Sequence, residues 1–209
     1  HGESSKKTMQ KNTLNTHMDV VSEIVHNDNL DQLTVLGMQA SCSSSIHLAK
    51  TIAESLKKII LLEPWILTDK EIGNFIKLGL PLIEPEWSGG HLLQYWHMVR
   101  DSKLFWPWYN RSISGIIEGN PHLDEKQLDI EVTEIIRSDL SWRETTSNLL
   151  QYPIRDNLSD IEVPIIICCR SSHPLEKVYT SIEKTLENIS YCELDHNPKN
   201  WGSKISKLI

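Results

Sequence analysis

The sequence predicts an α/β protein with a parallel sheet, interrupted by a long helical insertion, and three observations carry that expectation. The run "QLTVLG" (32–37) is a short apolar, β-branched stretch closing on glycine, and "KKIILLEP" (57–64) is a second continuous apolar run ended by Pro64. Between them, Ile46, Leu48, Ala49 and Ile52 recur at helical spacing. A strand, helix and strand within about 30 residues form a βαβ unit, which requires parallel pairing and a right-handed crossover. The third observation is that this pattern stops after Pro64 and resumes only at "VPIIICCR" (163–170).

Each element follows in order. Met18, Val21, Ile24 and Val25 predict a helix before the first strand. From Trp65 to about Asp160 the chain is helical in pattern and rich in tryptophan, with Pro81, Pro85, Pro107, Pro121 and Pro153 at the joints. Thr68 and Glu71 form a capping box, because hydroxyl and carboxylate can satisfy the free amides of a first turn. "SGGHLLQYWHMVRD" and "DEKQLDIEVTEIIRS" predict two amphipathic helices. After the third strand come a helix near 175–188, a short strand "SYCEL", the loop "DHNPKNW" and a terminal helix. The expected organisation is therefore core over 1–64, helical cap over 65–160, and core again over 161–209. Strands are expected near 33–37, 58–63, 163–169 and 190–194, with the helical layer over their carboxyl ends.

Composition limits the function classes. The 209 residues carry 21 basic and 28 acidic side chains, a net charge of -7, and no basic run longer than two. That excludes the electrostatic footprint of a nucleic-acid binder. Cys42, Cys168, Cys169 and Cys192 show no CxxC and no histidine at metal-ligand spacing, so no metal site or disulfide framework is expected. No apolar run approaches the roughly 20 residues that span a bilayer. A cytoplasmic protein with reduced thiols, no membrane partner and no cofactor is expected, because no phosphate loop or flavin signature is present either.

The residues at the turns resemble those of the α/β-hydrolase fold superfamily with a helical cap. "HGESS" looks like the end of the "GHGxS" loop after the fourth strand, "LGMQASCSSSIHLA" occupies the nucleophile elbow, "IILLEP" is similar to the sixth strand, and "HNP" resembles the "H-x-P" after the eighth. The resemblance implies that His1 begins after the fourth strand, so the chain is expected to be N-terminally truncated, a fragment. It also implies an open edge on the "TVLG" strand, which leaves self-association through that edge open.

Under this resemblance the elbow is Gly37, Met38, Gln39, Ala40 and Ser41, with Gln39 in the nucleophile's place. A primary amide is a poor nucleophile and cannot form an acyl-enzyme. A shifted elbow centred on Cys42 or Ser43 is the alternative. His196 corresponds to the general base and is expected to approach Gln39 above the sheet. The acid position falls on "CCRSSHP", where His173 precedes Pro174. Glu63, at the tip of the sixth strand, is either a substitute acid or a carboxylate anchoring its loop. The amide of Ala40 would be one oxyanion donor. The cap aromatics, Trp96, Trp106 and Trp108 among them, either line a pocket for a small apolar ligand or pack the helical layer.

Three functions remain in view. The first is hydrolysis of an ester-like bond in a small apolar substrate, ancestral to the fold and weak or lost here. The second is non-enzymatic binding of a small molecule. The third is a cofactor-independent lyase or oxygenase with His196 as its base.

Overall fold

A computed structural model of the chain describes residues 14–119 and 123–209; the "HGESS" stretch and Pro121 lie outside the described residues. The described residues form two compact units, one of residues 68–147 and one of residues 14–67 with 148–209.

The second unit is built on a four-stranded sheet in the order β1-β2-β3-β4: β1 (Leu33–Met38), β2 (Leu56–Leu62), β3 (Ile165–Arg170) and β4 (Ile189–Leu194). Every neighbouring pair is parallel, as the crossovers require. The register runs Met38↔Leu62, Leu62↔Cys168 and Arg170↔Leu194. All four carboxyl ends therefore emerge along one edge. The four strands expected from the sequence are present, each within about two residues of its expected bounds.

The strands form because their apolar runs are covered on both faces. Ile60, Leu62, Cys168 and Leu194 pack with Trp201 from α9 (Trp201–Ile205), joined by Ile166, Cys192, Ile205 and Leu208. Side chains alternate along a strand, so Ile59, Leu61, Ile165 and Ile167 point the other way, and they too are buried. Helix α2 (Cys42–Thr51) packs against β1 and β2, and α8 (Glu176–Glu183) against β4. Helix α1 (Leu14–Asn27) lies against α2.

Strand β1 is an edge among the described residues. Leu36 and Met38 are 45% and 51% exposed, although they belong to an uncharged, proline-free run.

The other unit opens at α3 (Asp69–Asn74), whose capping box is formed: Thr68 Oγ1 accepts from the Glu71 amide at 3.4 Å, and Glu71 Oε2 accepts from the Thr68 amide at 2.7 Å. The helix continues as one π turn over Phe75–Gly79. Helices α4 (Gly90–Ser102) and α5 (Glu125–Arg137) pack together around Ile83, Tyr95, Met98, Val99, Leu128 and Val132. Asp101 is buried and pairs with two arginines, Arg100 at 2.7 Å and Arg111 at 2.7 Å, which fixes the end of α4. Helices α6 (Ser141–Gln151) and α7 (Ile154–Leu158) lead back to β3. No helix of the described residues is long and apolar enough to cross a membrane.

Candidate functional site

The elbow after β1 is a strained turn. Gln39 adopts φ +52°, a left-handed conformation that costs a side-chain-bearing residue about 1–2 kcal/mol. The Ser41 hydroxyl fixes the turn, accepting from the Met38 amide at 2.9 Å and donating to the Met38 carbonyl at 2.7 Å. Gly37 is needed for close approach, since a Cβ there would stand 2.4 Å from Ser45 Oγ and 2.9 Å from the Cys42 Cα. A strained residue between a strand and a tightly apposed helix is the geometry that normally presents a nucleophile. Here it presents an exposed glutamine, and Ala40 follows it, half-buried. Cys42 and Ser43 lie inside α2 and are buried; burial raises the Cys42 thiol far above its ordinary range, and Cys42 Sγ faces the Leu62 carbonyl at 3.7 Å.

Glu63 leaves β2 with φ +46° and is 2% exposed. Its Oε1 lies 2.9 Å from Arg170 Nε, and the Arg170 amide donates to the same oxygen at 3.5 Å. Burial raises the carboxyl above its ordinary value, and the Arg170 charge and amide oppose that rise. His173 stands nearby, its Nε2 3.9 Å from Glu63 Oε2. Burial, with the Arg170 charge, lowers the imidazole to about 3, so at neutral pH the ring is uncharged and the contact with Glu63 is not an ion pair. His173 Nδ1 accepts from the Leu175 amide at 3.1 Å, and the ring stacks on Tyr179 with centroids 5.9 Å apart. Tyr179 in turn donates to the Pro64 carbonyl at 2.7 Å. Glu63, Arg170, His173 and Tyr179 thus form a buried polar group that ties β2, β3 and α8 together.

His196 lies on the loop after β4. Asp195 shapes the loop: its Oδ1 accepts from the Asn197 amide at 2.7 Å, and its carbonyl accepts from the Trp201 indole at 2.6 Å. The imidazole Nε2 lies 2.8 Å from Ser171 Oγ. Ser171 directly follows β3, and sequence reasoning missed it because the proline-adjacent position drew attention to His173. The register signal was present: Arg170 pairs with Leu194, so the residue after β3 stands beside the loop that carries His196. Gln39 follows β1 and His196 follows β4, the first and last strands of the sheet among the described residues.

The aromatic residues named for a pocket take part in packing within the helical unit. Trp96 and Trp108 lie against the cluster around Tyr95 and Met98, and the Trp108 indole donates to the Gly79 carbonyl at 2.9 Å. The Trp106 ring stands 6.0 Å from Phe75. Among the described residues, no group of three His, Cys, Asp or Glu is placed to hold a metal ion.

No family model and no curated protein sequence matches the chain. Solved structures do. The chain is similar to a bromoperoxidase from Bacillus anthracis, with a TM-score of 0.64 and 11% identity, covering 99% of this chain and 75% of that one. It is similar to a carboxylesterase of the ammonia-oxidizing thaumarchaeon Nitrososphaera gargenis, with a TM-score of 0.65 and 11% identity, covering 100% and 75%. An α/β-hydrolase enzyme from a Medee basin deep-sea metagenome library aligns with a TM-score of 0.61 and 15% identity over 93% and 68%.

Proposed function

We propose that this chain, which has the α/β-hydrolase fold, derives from proteins that hydrolysed an ester-like bond in a small apolar substrate, and that the elbow no longer supports that chemistry. The observation that carries the proposal is Gln39 at φ +52° in the tight turn between β1 and α2, which we read as the counterpart of a nucleophile elbow. The strained turn persists and the reactive atom does not, so the acyl-enzyme route through the elbow is closed and hydrolysis is weak or absent there. A carboxylesterase and a bromoperoxidase among the similar structures support the ancestral class.

The second reading is non-enzymatic binding of a small molecule at the carboxyl edge of the sheet, where open α/β sheets hold ligands. Retention of the costly elbow conformation without its nucleophile favours it. A reduced, cytoplasmic setting suits four free cysteines. Self-association through β1 belongs to the same proposal, supported by the exposure of Leu36 and Met38 on a strand that is an edge among the described residues.

The test is mass spectrometry after incubation with a nitrophenyl acetate. The peptide spanning β1 and α2 should carry no acetyl group. Acetylation of Cys42 or Ser43 would show that the elbow lies further along the chain, and would overturn the proposal.

A further inference from the structure

The carboxyl edge of the sheet holds a hydroxyl within reach of a base. Ser171 Oγ and His196 Nε2 are 2.8 Å apart, the separation expected of a nucleophile and its general base. The contact joins two anchored turns. On one side the Ser172 amide donates to Glu176 Oε2 at 3.0 Å, the His173 amide donates to the Arg170 carbonyl at 3.3 Å, and Ser172 holds φ +62°. On the other side Asp195 organises the loop through Asn197 and Trp201. Ser171 is half-buried and His196 is exposed, so a substrate can reach the pair.

We propose that Ser171 is a nucleophile served by His196, taking acyl groups from esters with weakly basic leaving groups. The proposal rests on the reading of Gln39 as an elbow without a nucleophile. As Ser171 Oγ attacks, its bond to the acyl carbon forms and its proton passes to Nε2. The bond from the acyl carbon to the aryl oxygen then breaks, the aryl oxide departs, and Nε2 passes its proton to the departing oxide or to solvent, which returns the imidazole to its neutral form. Nε2 then takes a proton from a water molecule as that water attacks the acyl-serine, and gives it to Oγ as the ester bond breaks, releasing the carboxylic acid and restoring Ser171.

The substrate class follows from the surrounding amides. The N–H groups of Ser172 and His173 are committed to Glu176 and Arg170, so neither is free to stabilise an oxyanion. Activated aryl esters qualify, and alkyl esters and amides do not.

The experiment incubates the full chain with nitrophenyl acetate and, separately, with an alkyl fluorophosphonate, and maps the adducts by mass spectrometry. The expected adduct is on Ser171, and Ser171→Ala or His196→Ala should slow phenolate release at least about tenfold, the lower range of general-base assistance being about 10². No adduct on Ser171, or undiminished labelling of Ser171 in His196→Ala, overturns this inference and leaves the elbow reading standing. An adduct on Ser43 or Cys42 overturns both. Ser171→Cys gives a second readout without ester chemistry. Its alkylation by iodoacetamide should be about tenfold faster than in the Ser171→Cys/His196→Ala double variant, and equal rates would count against the pair.

Discussion

Arg170 Nε lies 2.9 Å from Glu63 Oε1, so the buried carboxylate at the tip of β2 is paired across the ends of two neighbouring strands with a half-buried guanidinium. That pairing explains how a carboxylate that burial pushes towards its neutral form can be held between β2 and β3.

Removing the arginine should therefore be costly. Arg170→Met leaves Glu63 buried without its ion-pair partner, and should lower stability by about 3 kcal/mol. The added change Glu63→Gln should recover part of that loss. Urea denaturation midpoints of the single and double variants measure both.

His173 should make the protein acid-sensitive. Its folded value, about 3, lies below the ordinary 6.5, so the unfolded chain takes the proton first. The stability it contributes is full above about pH 6.5 and is lost as pH falls towards 3, amounting to about 2–3 kcal/mol by pH 4.5. Glu63 acts in the opposite sense, because its carboxyl is raised from 4.5: its contribution is full below that value and is lost as pH rises through the folded value. His173→Gln should isolate the histidine's contribution, giving a melting temperature that falls less between pH 7 and pH 4.5 than that of the unchanged chain.

The elbow should respond to backbone chemistry. Gly37→Ala places a methyl group 2.9 Å from the Cys42 Cα, which cannot move away as a side chain can, and should cost about 1–3 kcal/mol. Gln39→Gly relieves a positive φ and should raise stability by about 1 kcal/mol. Thermal unfolding of the two variants should shift in opposite directions.

Self-association should depend on β1. Placing charge on β1, as Leu36→Lys with Met38→Lys, should shift the chain towards monomer at high concentration. Sedimentation velocity over a concentration series reads this out, and an unchanged distribution would assign any association to another surface.

Several elements were legible because local chemistry suffices to specify them. The capping box of Thr68 and Glu71 needs only two residues three apart, and the structure forms it. The elbow was also readable, since Gly37 and Gln39 sit in an ungapped strand–turn–helix pattern. By contrast, the "IRSDLSWRETTSNLL" stretch did not mark α6 clearly, because the helix carries only three large apolar residues, Trp142, Leu149 and Leu150, in a mostly polar segment.

The sequence by itself determined the parallel sheet, its four strands, and the glutamine at the turn after the first of them. These depend on side-chain period, on glycine at a close approach and on the identity of one residue. Only the tertiary structure decided the partners: Glu63 with Arg170, His173 stacked on Tyr179, and His196 against Ser171. The physical reason is register. A polar side chain at a strand end bonds to whatever the neighbouring strand's end presents, and residues 25 or 107 positions apart meet there only because parallel pairing aligns β2, β3 and β4 to the same edge.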